Sequence, residues 1–253
     1  MKIFQWNDLL NNNFHTPYFA KGCGISIGSF DGLHKGHGLL LSSLVQSCTS
    51  ENLLKGVFTF PRPLPSIKYS DEYLGDISTL NQRLHFFEEL GIDFVIIADF
   101  DKEFAQKKGI DFIKSLCTIC NLKLLAEGVD FKCGFKGATD VQAIKYFAEH
   151  SGLKTIFVDP VYYKNGNNIE RISSSYIRQK IKYGFLSTVE EMMSRPYELD
   201  LSDFHQTAIE KKKIIQVLPP ENVYFCNKKD KEVRVEITEN QILISDYCDR
   251  LYF

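Results

Sequence analysis

Short apolar runs alternate with helical patterns over residues 24–195, and this alternation limits the folds open to the chain more than any other feature. The apolar runs have no polar face, which is typical of parallel strands covered by helices on both sides. The predicted strands are residues 24–28, 56–60, 94–98, 123–127 and 155–159, and the predicted helices are 37–49, 79–90, 110–119 and 139–150. Gly91 and Gly152 stand just beyond two of the helices, as stop signals do. The order predicts an α/β protein with a Rossmann-like, doubly wound parallel sheet.

The character of the chain changes after Pro196. Two further helices, 174–183 and 187–193, are predicted to close the α/β domain. Short β-rich runs follow at 214–218, 223–225, 233–237 and 242–245, broken by turn residues. We therefore predict one domain over residues 1–199 and a small β appendage over residues 200–253.

The bulk composition narrows the class of protein. The 253 residues are 44% hydrophobic and 25% charged, with a formal net charge of −2, so we expect no nucleic-acid partner. No apolar run reaches membrane length, and the first residues lack a signal-peptide core, so we expect a cytoplasmic protein without a membrane partner. The oligomeric state stays open. Seven dispersed cysteines do not suggest a disulfide framework, and Cys117 and Cys120 are interpreted as buried residues on one helix face.

Residues 28–37, Gly-Ser-Phe-Asp-Gly-Leu-His-Lys-Gly-His, stand where a predicted strand turns into a helix. The free N–H groups and the dipole of a helix N-terminus attract anions, and glycines let a ligand approach the backbone closely. The imidazoles of His34 and His37 can stabilise charge on phosphate oxygens. The pattern predicts a phosphate-binding turn that also includes Gly28, Ser29, Phe30, Asp31, Gly32 and Gly36.

A further candidate phosphate site is residues 171–178, Arg-Ile-Ser-Ser-Ser-Tyr-Ile-Arg. Ser174 or Ser175 can cap the helix that starts here and still offer a hydroxyl to phosphate, with Ser173 beside them. Arg178, one turn further on, can hold two phosphate oxygens with its planar guanidinium.

These segments resemble two motifs of the HxGH nucleotidylyltransferase superfamily. Residues 28–37 match G-x-F-D-G-x-H-x-G-H of its FMN adenylyltransferase (FAD synthetase) branch. Residues 172–178 resemble I-S-S-T-x-x-R, with Ser175 in place of threonine. Residues 57–61, 128–134 and 195–197 resemble three further segments of that family, so the resemblance covers most of residues 20–200.

The resemblance implies transfer of AMP from ATP to FMN, which yields FAD and pyrophosphate, with Mg²⁺ bound mainly through the triphosphate. The implied catalytic residues are His34, His37, Ser174, Ser175 and Arg178. The implied FMN contacts are Phe60, Pro61, Arg62, Asp130 and Phe131. Asp130 is also the side chain expected closest to Mg²⁺. For Asp31, a turn-forming and a functional role compete evenly.

The chain also departs from the family pattern. The segment around Arg62 lacks one residue and has arginine where histidine is usual, and Cys133 replaces an aromatic residue. Bacterial members usually continue into a riboflavin kinase barrel with a glycine-rich loop, whereas here no glycine follows Gly184. We therefore expect residues 200–253 to be a remnant of that barrel without kinase activity. Deletion after about residue 205 is expected to lower stability or solubility while leaving adenylyl transfer detectable.

Two alternatives remain open at this point. One is a nucleotidylyltransferase of the same superfamily that uses a different phosphate acceptor, which turnover with a panel of acceptors would reveal. The other is a flavin- or nucleotide-binding protein that has lost catalysis, which binding without FAD formation would reveal.

Overall fold

The computed structural model describes residues 1–11, 17–68, 72–166, 168–228 and 231–253. The chain forms two compact units. The first unit comprises Met1–Phe30, His37–Leu64 and Leu84–Pro160, and the second comprises Asp31–Gly36, Pro65–Arg83 and Val161–Phe253. The chain therefore passes from one unit to the other and back within the first predicted phosphate motif.

The first unit contains a parallel sheet of six strands in the order β1-β4-β3-β2-β5-β8. Its strands and a short hairpin are β1 (Lys2–Gln5), β2 (Cys23–Ile27), β3 (Leu54–Thr59), β4 (Phe94–Ile97), β5 (Leu122–Gly128), β6 (Lys132–Cys133), β7 (Thr139–Asp140) and β8 (Lys154–Val158). The chain continues from β2 to β3, which pairs with one edge of β2, and later to β5, which pairs with its other edge. The strand order thus reverses between β2 and β5, where sheets of this kind bind ligands beyond the strand ends. The predicted fold class is confirmed.

Helices connect these strands, and the long ones begin and end close to the predicted positions. They are α1 (Trp6–Asn11), α2 (Lys35–Ser50), α3 (Leu64–Lys68), α4 (Leu80–Glu89), α5 (Lys102–Gln106), α6 (Gly109–Cys120) and α7 (Val141–Ser151). Local chemistry explains the ends of α7. The Asp140 carboxylate accepts a hydrogen bond from Ala143 N at its start, and Gly152, with φ 72°, ends it in the left-handed conformation. None of the described helices combines the length and the apolar character needed to cross a membrane.

Aromatic and aliphatic side chains fill the space between this sheet and its helices. The rings of Trp6, Phe58 and Phe112 pack edge to face, with centroids 4.9–5.8 Å apart. Cys120 at the end of α6 is buried and Cys117 is partly buried. Within the described residues, no group of three or more His, Cys, Asp or Glu side chains is placed to hold a metal ion.

The second unit combines a hairpin, two helices and an antiparallel sheet of six strands in the order β11-β16-β13-β14-β15-β12. Its elements after residue 160 are β9 (Tyr162–Asn165), β10 (Asn168–Arg171), α8 (Ser174–Lys182), α9 (Leu186–Met193), β11 (Glu198–Asp200), β12 (Ala208–Glu210), β13 (Asn222–Lys228), β14 (Lys231–Ile237), β15 (Gln241–Ile244) and β16 (Arg250–Tyr252). The predicted β appendage is present. The division at residues 199 and 200 stays a prediction.

One predicted strand is wrong. Residues 214–218 contain only an isolated bridge, between Gln216 and Asp76, because their backbone bonds to the segment around Asp76 and not to a neighbouring strand of the sheet. The short strands β1, β9, β10, β11, β12 and β16 were not predicted, since three or four residues carry too little periodicity to distinguish a strand from a loop.

Candidate functional site

Asp31 holds the turn that follows β2. Its side chain is 1% exposed. One carboxylate oxygen accepts hydrogen bonds from the backbone N–H of Ile77 (3.0 Å), from that of Ser78 (2.9 Å) and from the Ser78 hydroxyl (3.2 Å). The backbone N–H of Gly32 in turn donates to Ser78 Oγ at 2.9 Å. Asp31 therefore shapes the turn by fastening it to residues 77–78.

Arg178 is the charged partner of Asp31. Its Nη2 donates to the Asp31 carboxylate and, at 3.1 Å, to the Tyr73 hydroxyl, while Nε donates to the carbonyl of Gly75 at 2.9 Å. The guanidinium also lies 4.9 Å from the centre of the Tyr73 ring. Burial raises the pKa of the Asp31 carboxyl, and Arg178 with the backbone donors opposes that effect.

This position differs from the two-oxygen grip on phosphate that the sequence pattern predicts for Arg178. Nη2 belongs to both edges by which a guanidinium can hold two oxygens, and here Nη2 is bound to Asp31. A phosphate held by either edge would compete with that carboxylate. The structure therefore presents Arg178 as support for the turn, and its contact with phosphate stays a prediction.

The start of α8 also binds the turn. Ser173 is the residue that caps the helix, because its backbone is extended (φ −146°, ψ 155°) and its hydroxyl accepts from Tyr176 N. The prediction that Ser174 or Ser175 is the cap is wrong, since both already lie within the helix. Ser174 instead donates its hydroxyl proton to the carbonyl oxygen of Asp31 at 2.8 Å, whereas Ser175 is exposed. The two motifs are thus joined directly, by Ser174 and Arg178.

His34 occupies a buried position in the same unit. It is 7% exposed. Arg195 holds the adjoining backbone, with Nη2 bonded to the carbonyl of Gly32 (2.7 Å) and Nη1 to that of Leu33 (3.0 Å). Burial, followed by the positive charges of Arg171 and Arg195, lowers the pKa of His34 to about 4. At neutral pH the imidazole is therefore uncharged, and it can donate one hydrogen bond to an anion.

Residues 28–30 and His37 of the same motif belong to the first unit. Gly28 N donates to the carbonyl of Phe58 at 3.0 Å, and a Cβ at Gly28 would lie 3.2 Å from the ring of Phe30. Phe30 is buried and has a φ of 50°, which is uncommon for a bulky residue. Its ring packs edge to face on the ring of His37, with centroids 5.4 Å apart. The ring of Phe30, placed by this backbone conformation, is thus a packing partner of His37.

Ser29 and Gly36 have local structural roles. Ser29 Oγ accepts a hydrogen bond from Leu64 N at 3.2 Å, which ties the motif to the start of α3. A Cβ at Gly36 would lie 3.2 Å from the ring of His34, so the glycine leaves room for the imidazole.

The residues predicted to contact FMN lie in the first unit in different surroundings. The ring of Phe60 is buried in the core, 5.9 Å from the rings of both Phe100 and Phe104. Pro61 and Arg62, the next two residues in the sequence, are partly buried. Their contacts with FMN stay a prediction.

Asp130 and Phe131 form part of a tight turn after β5. Phe131 N donates to the carbonyl of Gly128 at 3.0 Å, and Phe131 packs partly against the core while Asp130 is exposed. Oxygen ligands suit Mg²⁺, which keeps several waters and is bound through one or two carboxylates together with phosphates. An exposed single carboxylate at Asp130 fits such a partial role.

Sequence reasoning missed Glu127, the last charged residue of β5. It is 1% exposed, and its Oε1 accepts a hydrogen bond from Ile27 N at 2.6 Å. Burial raises the pKa of the Glu127 carboxyl well above its usual value. The signal in the sequence was a glutamate at the end of an otherwise apolar run. Arg195 and Ser78 were also missing from the predicted site, because nothing local in the sequence shows that they reach the turn.

Comparison with known proteins agrees with these motifs. The family model for FAD synthetase matches residues 17–176. The chain is 30% identical over 181 residues to a bifunctional riboflavin kinase/FMN adenylyltransferase of Escherichia coli K12, a match covering 71% of this chain and 56% of that protein. It is 24% identical over 178 residues to a Listeria monocytogenes FAD synthetase, covering 70% of this chain and 71% of that protein. The match therefore spans little more than half the length of the Escherichia coli protein.

A solved structure has the same fold. A crystal structure titled as a macrolide-efflux protein from Streptococcus pneumoniae covers 91% of this chain and 91% of its own, with a TM-score of 0.72 and 20% identity. At that identity the likeness shows the fold alone. The family model covers well over half of the chain, and the chain belongs to the FAD synthetase family.

Proposed function

We propose that the protein is an FMN adenylyltransferase. The observation that carries this proposal is the direct bonding of the two motifs: Ser174 and Arg178 of the second motif bind Asp31 of the first. Residues so distant in the sequence converge on one turn, which supports a single phosphate-handling site. The names of the relatives supply the acceptor, FMN, and the adenylyl group that is transferred to it, and we propose ATP as the donor of that group.

The proposed reaction needs no protein nucleophile. An oxygen of the FMN phosphate attacks the α-phosphorus of ATP, the bond from that phosphorus to the bridging oxygen of the β-phosphate breaks, and FAD and pyrophosphate leave. The protein contributes orientation and donors for the charge that develops on the phosphate oxygens. His37, oriented by Phe30, and His34, uncharged at neutral pH, are the proposed side-chain donors. Mg²⁺ bound to the triphosphate would neutralise part of its charge.

The other predicted contacts follow from this reaction. The backbone of Gly28, Phe30 and Gly32 is proposed to approach the phosphates. The hydroxyl of Ser175, which is exposed, is proposed as a further phosphate donor. FMN is proposed to lie against the segment of Phe60, Pro61, Arg62, Asp130 and Phe131.

We further propose that this chain has no riboflavin kinase activity. The sheet of residues 198–252 is built from strands of three to seven residues, and no glycine follows Gly184. A phosphate-wrapping loop is difficult to form without glycine. We therefore expect no phosphorylation of riboflavin by this chain.

One assay separates these statements. The purified protein is incubated with ATP and Mg²⁺ together with either FMN or riboflavin, and the flavins are separated by chromatography. FAD from FMN, and no FMN from riboflavin, is the expected result. Bound FMN without FAD would favour a protein that has lost catalysis, and turnover only with another phosphate acceptor would favour a different nucleotidylyltransferase.

His37→Ala tests whether the motif performs the chemistry. Removal of one donor to a developing phosphate charge costs about 3 kcal/mol, or roughly a hundredfold in kcat. The affinity for ATP should change much less, because the interaction belongs mainly to the transition state. An unchanged kcat in a folded variant would remove His37 from the mechanism. The exposed histidine His85, changed to alanine, is the matched control.

A further inference from the structure

The sheet of the first unit opens between β2 and β5, at the point where the motif of residues 28–37 begins. The ladder between β2 and β5 ends at the pair Ile25 and Leu125. On the other side of β2, pairing with β3 continues to Ile27, and on the far side of β5, pairing with β8 continues to Gly128. Only the β2–β5 ladder stops short, at the place where the strand order reverses.

The Glu127 side chain bridges this opening. The register of the last pair, Ile25 with Leu125, would bring Ile27 opposite Glu127 if it continued for two more residues. Because Gly28 N bonds to Phe58 on the β3 side, the N–H of the preceding residue, Ile27, is directed towards β5. There it meets the Glu127 carboxyl at 2.6 Å instead of a backbone carbonyl. A side chain thus replaces a rung of the ladder.

The buried position of Glu127 is energetically unfavourable for a charged carboxyl group. It is 1% exposed, and its Oε1 accepts from a neutral backbone N–H. Burial raises its pKa well above the usual value, so the environment disfavours the charged form. An apolar side chain of similar size would avoid this cost. Stability alone therefore does not explain a glutamate here.

The hydrogen bond between Ile27 N and Glu127 fixes the backbone that leads into residues 28–37. Ile27 is followed by Gly28, and two residues later Phe30 adopts a φ of 50° and supports the ring of His37. A bulky residue keeps such a conformation only where neighbouring structure fixes the chain on both sides. The bond from Glu127 fixes the side that leads in from β2.

We propose that Glu127 is a positioning residue for nucleotide binding, which holds the end of β2 away from β5 so that the backbone from Gly28 to Phe30 faces the triphosphate. The proposal rests on the proposed adenylyltransferase function. It assigns to Glu127 no contact with substrate and no proton transfer.

Two substitutions of Glu127 distinguish the role of its hydrogen-bond acceptor from the role of its size and shape. Glu127→Gln keeps an oxygen that can accept from Ile27 N, whereas Glu127→Leu keeps the size and loses the acceptor. We expect the Leu variant to remain folded, to lose at least tenfold in ATP affinity or in kcat/KM for ATP, and to show a changed chemical shift of the Ile27 amide in ¹H–¹⁵N spectra. The Gln variant should stay within about threefold of the wild type. Ile144→Val, at a buried position of α7 in the same unit, is the control for a general loss of packing.

The measurements distinguish failure of this proposal from failure of the proposed function. ATP affinity is measured directly, with a fluorescent ATP analogue, so it decides the role of Glu127 even if no FAD is formed by any of the proteins. A folded Glu127→Leu variant with wild-type ATP affinity and kcat would overturn the proposal. So would equal losses in the Leu and Gln variants, or a wild-type protein that does not bind ATP.

Discussion

Arg178 shows how burial changes the role that a motif suggests for a residue. Its sequence context predicts a phosphate clamp, whereas its side chain is 5% exposed and paired with Asp31 beneath the turn. Removal of one partner of such a buried pair leaves the other charge without compensation, whereas removal of both partners does not. Stability measurements on both residues can therefore isolate the pair.

We expect Arg178→Met to lower the free energy of unfolding by about 3–5 kcal/mol, because the buried Asp31 carboxylate then lacks its charged partner. The double variant Asp31→Leu with Arg178→Met should recover part of that stability but no activity. Arg178→Lys keeps the charge but cannot reproduce the bonds to Gly75 and Tyr73, so turnover should still fall. Urea unfolding and FAD formation provide the two readouts.

An exposed ion pair supplies the control for this series. Lys154 and Glu51 form a contact of 2.6 Å at the surface. Lys154→Met should cost less than about 1 kcal/mol. A cost for Arg178→Met no greater than this would mean that the buried pair does not stabilise the turn.

His34 makes stability depend on pH in a defined window. Its pKa is lowered to about 4 in the folded protein, compared with about 6.5 for an unperturbed histidine. Between these values the unfolded chain binds more protons, so this contribution to stability is present above about pH 6.5 and is lost as the pH falls towards 4. The full effect is of the order of 3 kcal/mol.

The corresponding variant is His34→Asn. Its unfolding free energy should decrease less between pH 6.5 and 4 than that of the wild type. Urea unfolding at a series of pH values measures both slopes. Parallel curves for His34→Asn and the wild type would contradict the assigned pKa.

At the scale of elements, the turn between β2 and α2 demands backbone geometry that the helix itself does not. Gly32 has a φ of 79°, and a Cβ there would lie 2.9 Å from Ile77 Cγ2. Gly38, in the first turns of α2, has no atom within 4 Å of an added Cβ. The two glycines therefore differ although both belong to the same short segment.

We expect Gly32→Ala to cost about 1–3 kcal/mol, since a left-handed conformation and a clash with Ile77 act together. Gly38→Ala should instead stabilise the protein by about 0.5–1 kcal/mol, because alanine favours a helix over glycine. Denaturant midpoints of the two variants test the comparison. Equal shifts of the two midpoints, in either direction, would show that the turn is not constrained as described.

At the scale of the second unit, the segment after residue 205 supports the candidate site. Asp76 N donates to the carbonyl of Ile215, Val217 N donates to the carbonyl of Asp76, and Gln216 Nε2 donates to the carbonyl of Ile77. These bonds hold the residues next to those that bind Asp31. The expectation that adenylyl transfer survives deletion after about residue 205 stays a prediction, and these bonds argue against it.

We expect deletion after residue 205 to abolish FAD formation. Gln216→Ala in the full chain, which avoids gross unfolding, should lower kcat/KM at least threefold by loosening residues 76–78, an effect of about 0.7 kcal/mol. Phe225→Ala, at an exposed position of β13, is the control and should leave activity unchanged. Wild-type kinetics in the Gln216 variant would show that this contact of the segment does not support the candidate site.

The sequence by itself determined the succession of the parallel strands and long helices along the chain, and it contained the two motifs of residues 28–37 and 171–178. These depend on apolar periodicity and on turn residues such as Gly152, whose effects are local in the chain. A strand whose residues are all apolar, such as β4, is recognisable because the sheet buries both of its faces.

Only the tertiary structure decided which polar groups meet. Ser174, Arg178 and Arg195 converge on residues 31–33 from far along the chain, and Glu127 reaches Ile27 across 100 residues. Hydrogen bonds of this kind leave no periodic signal, because each depends on two distant residues and on the strands that carry them. Burial likewise depends on the packed protein, and it is burial that leaves His34 uncharged and makes Arg178 the partner of Asp31.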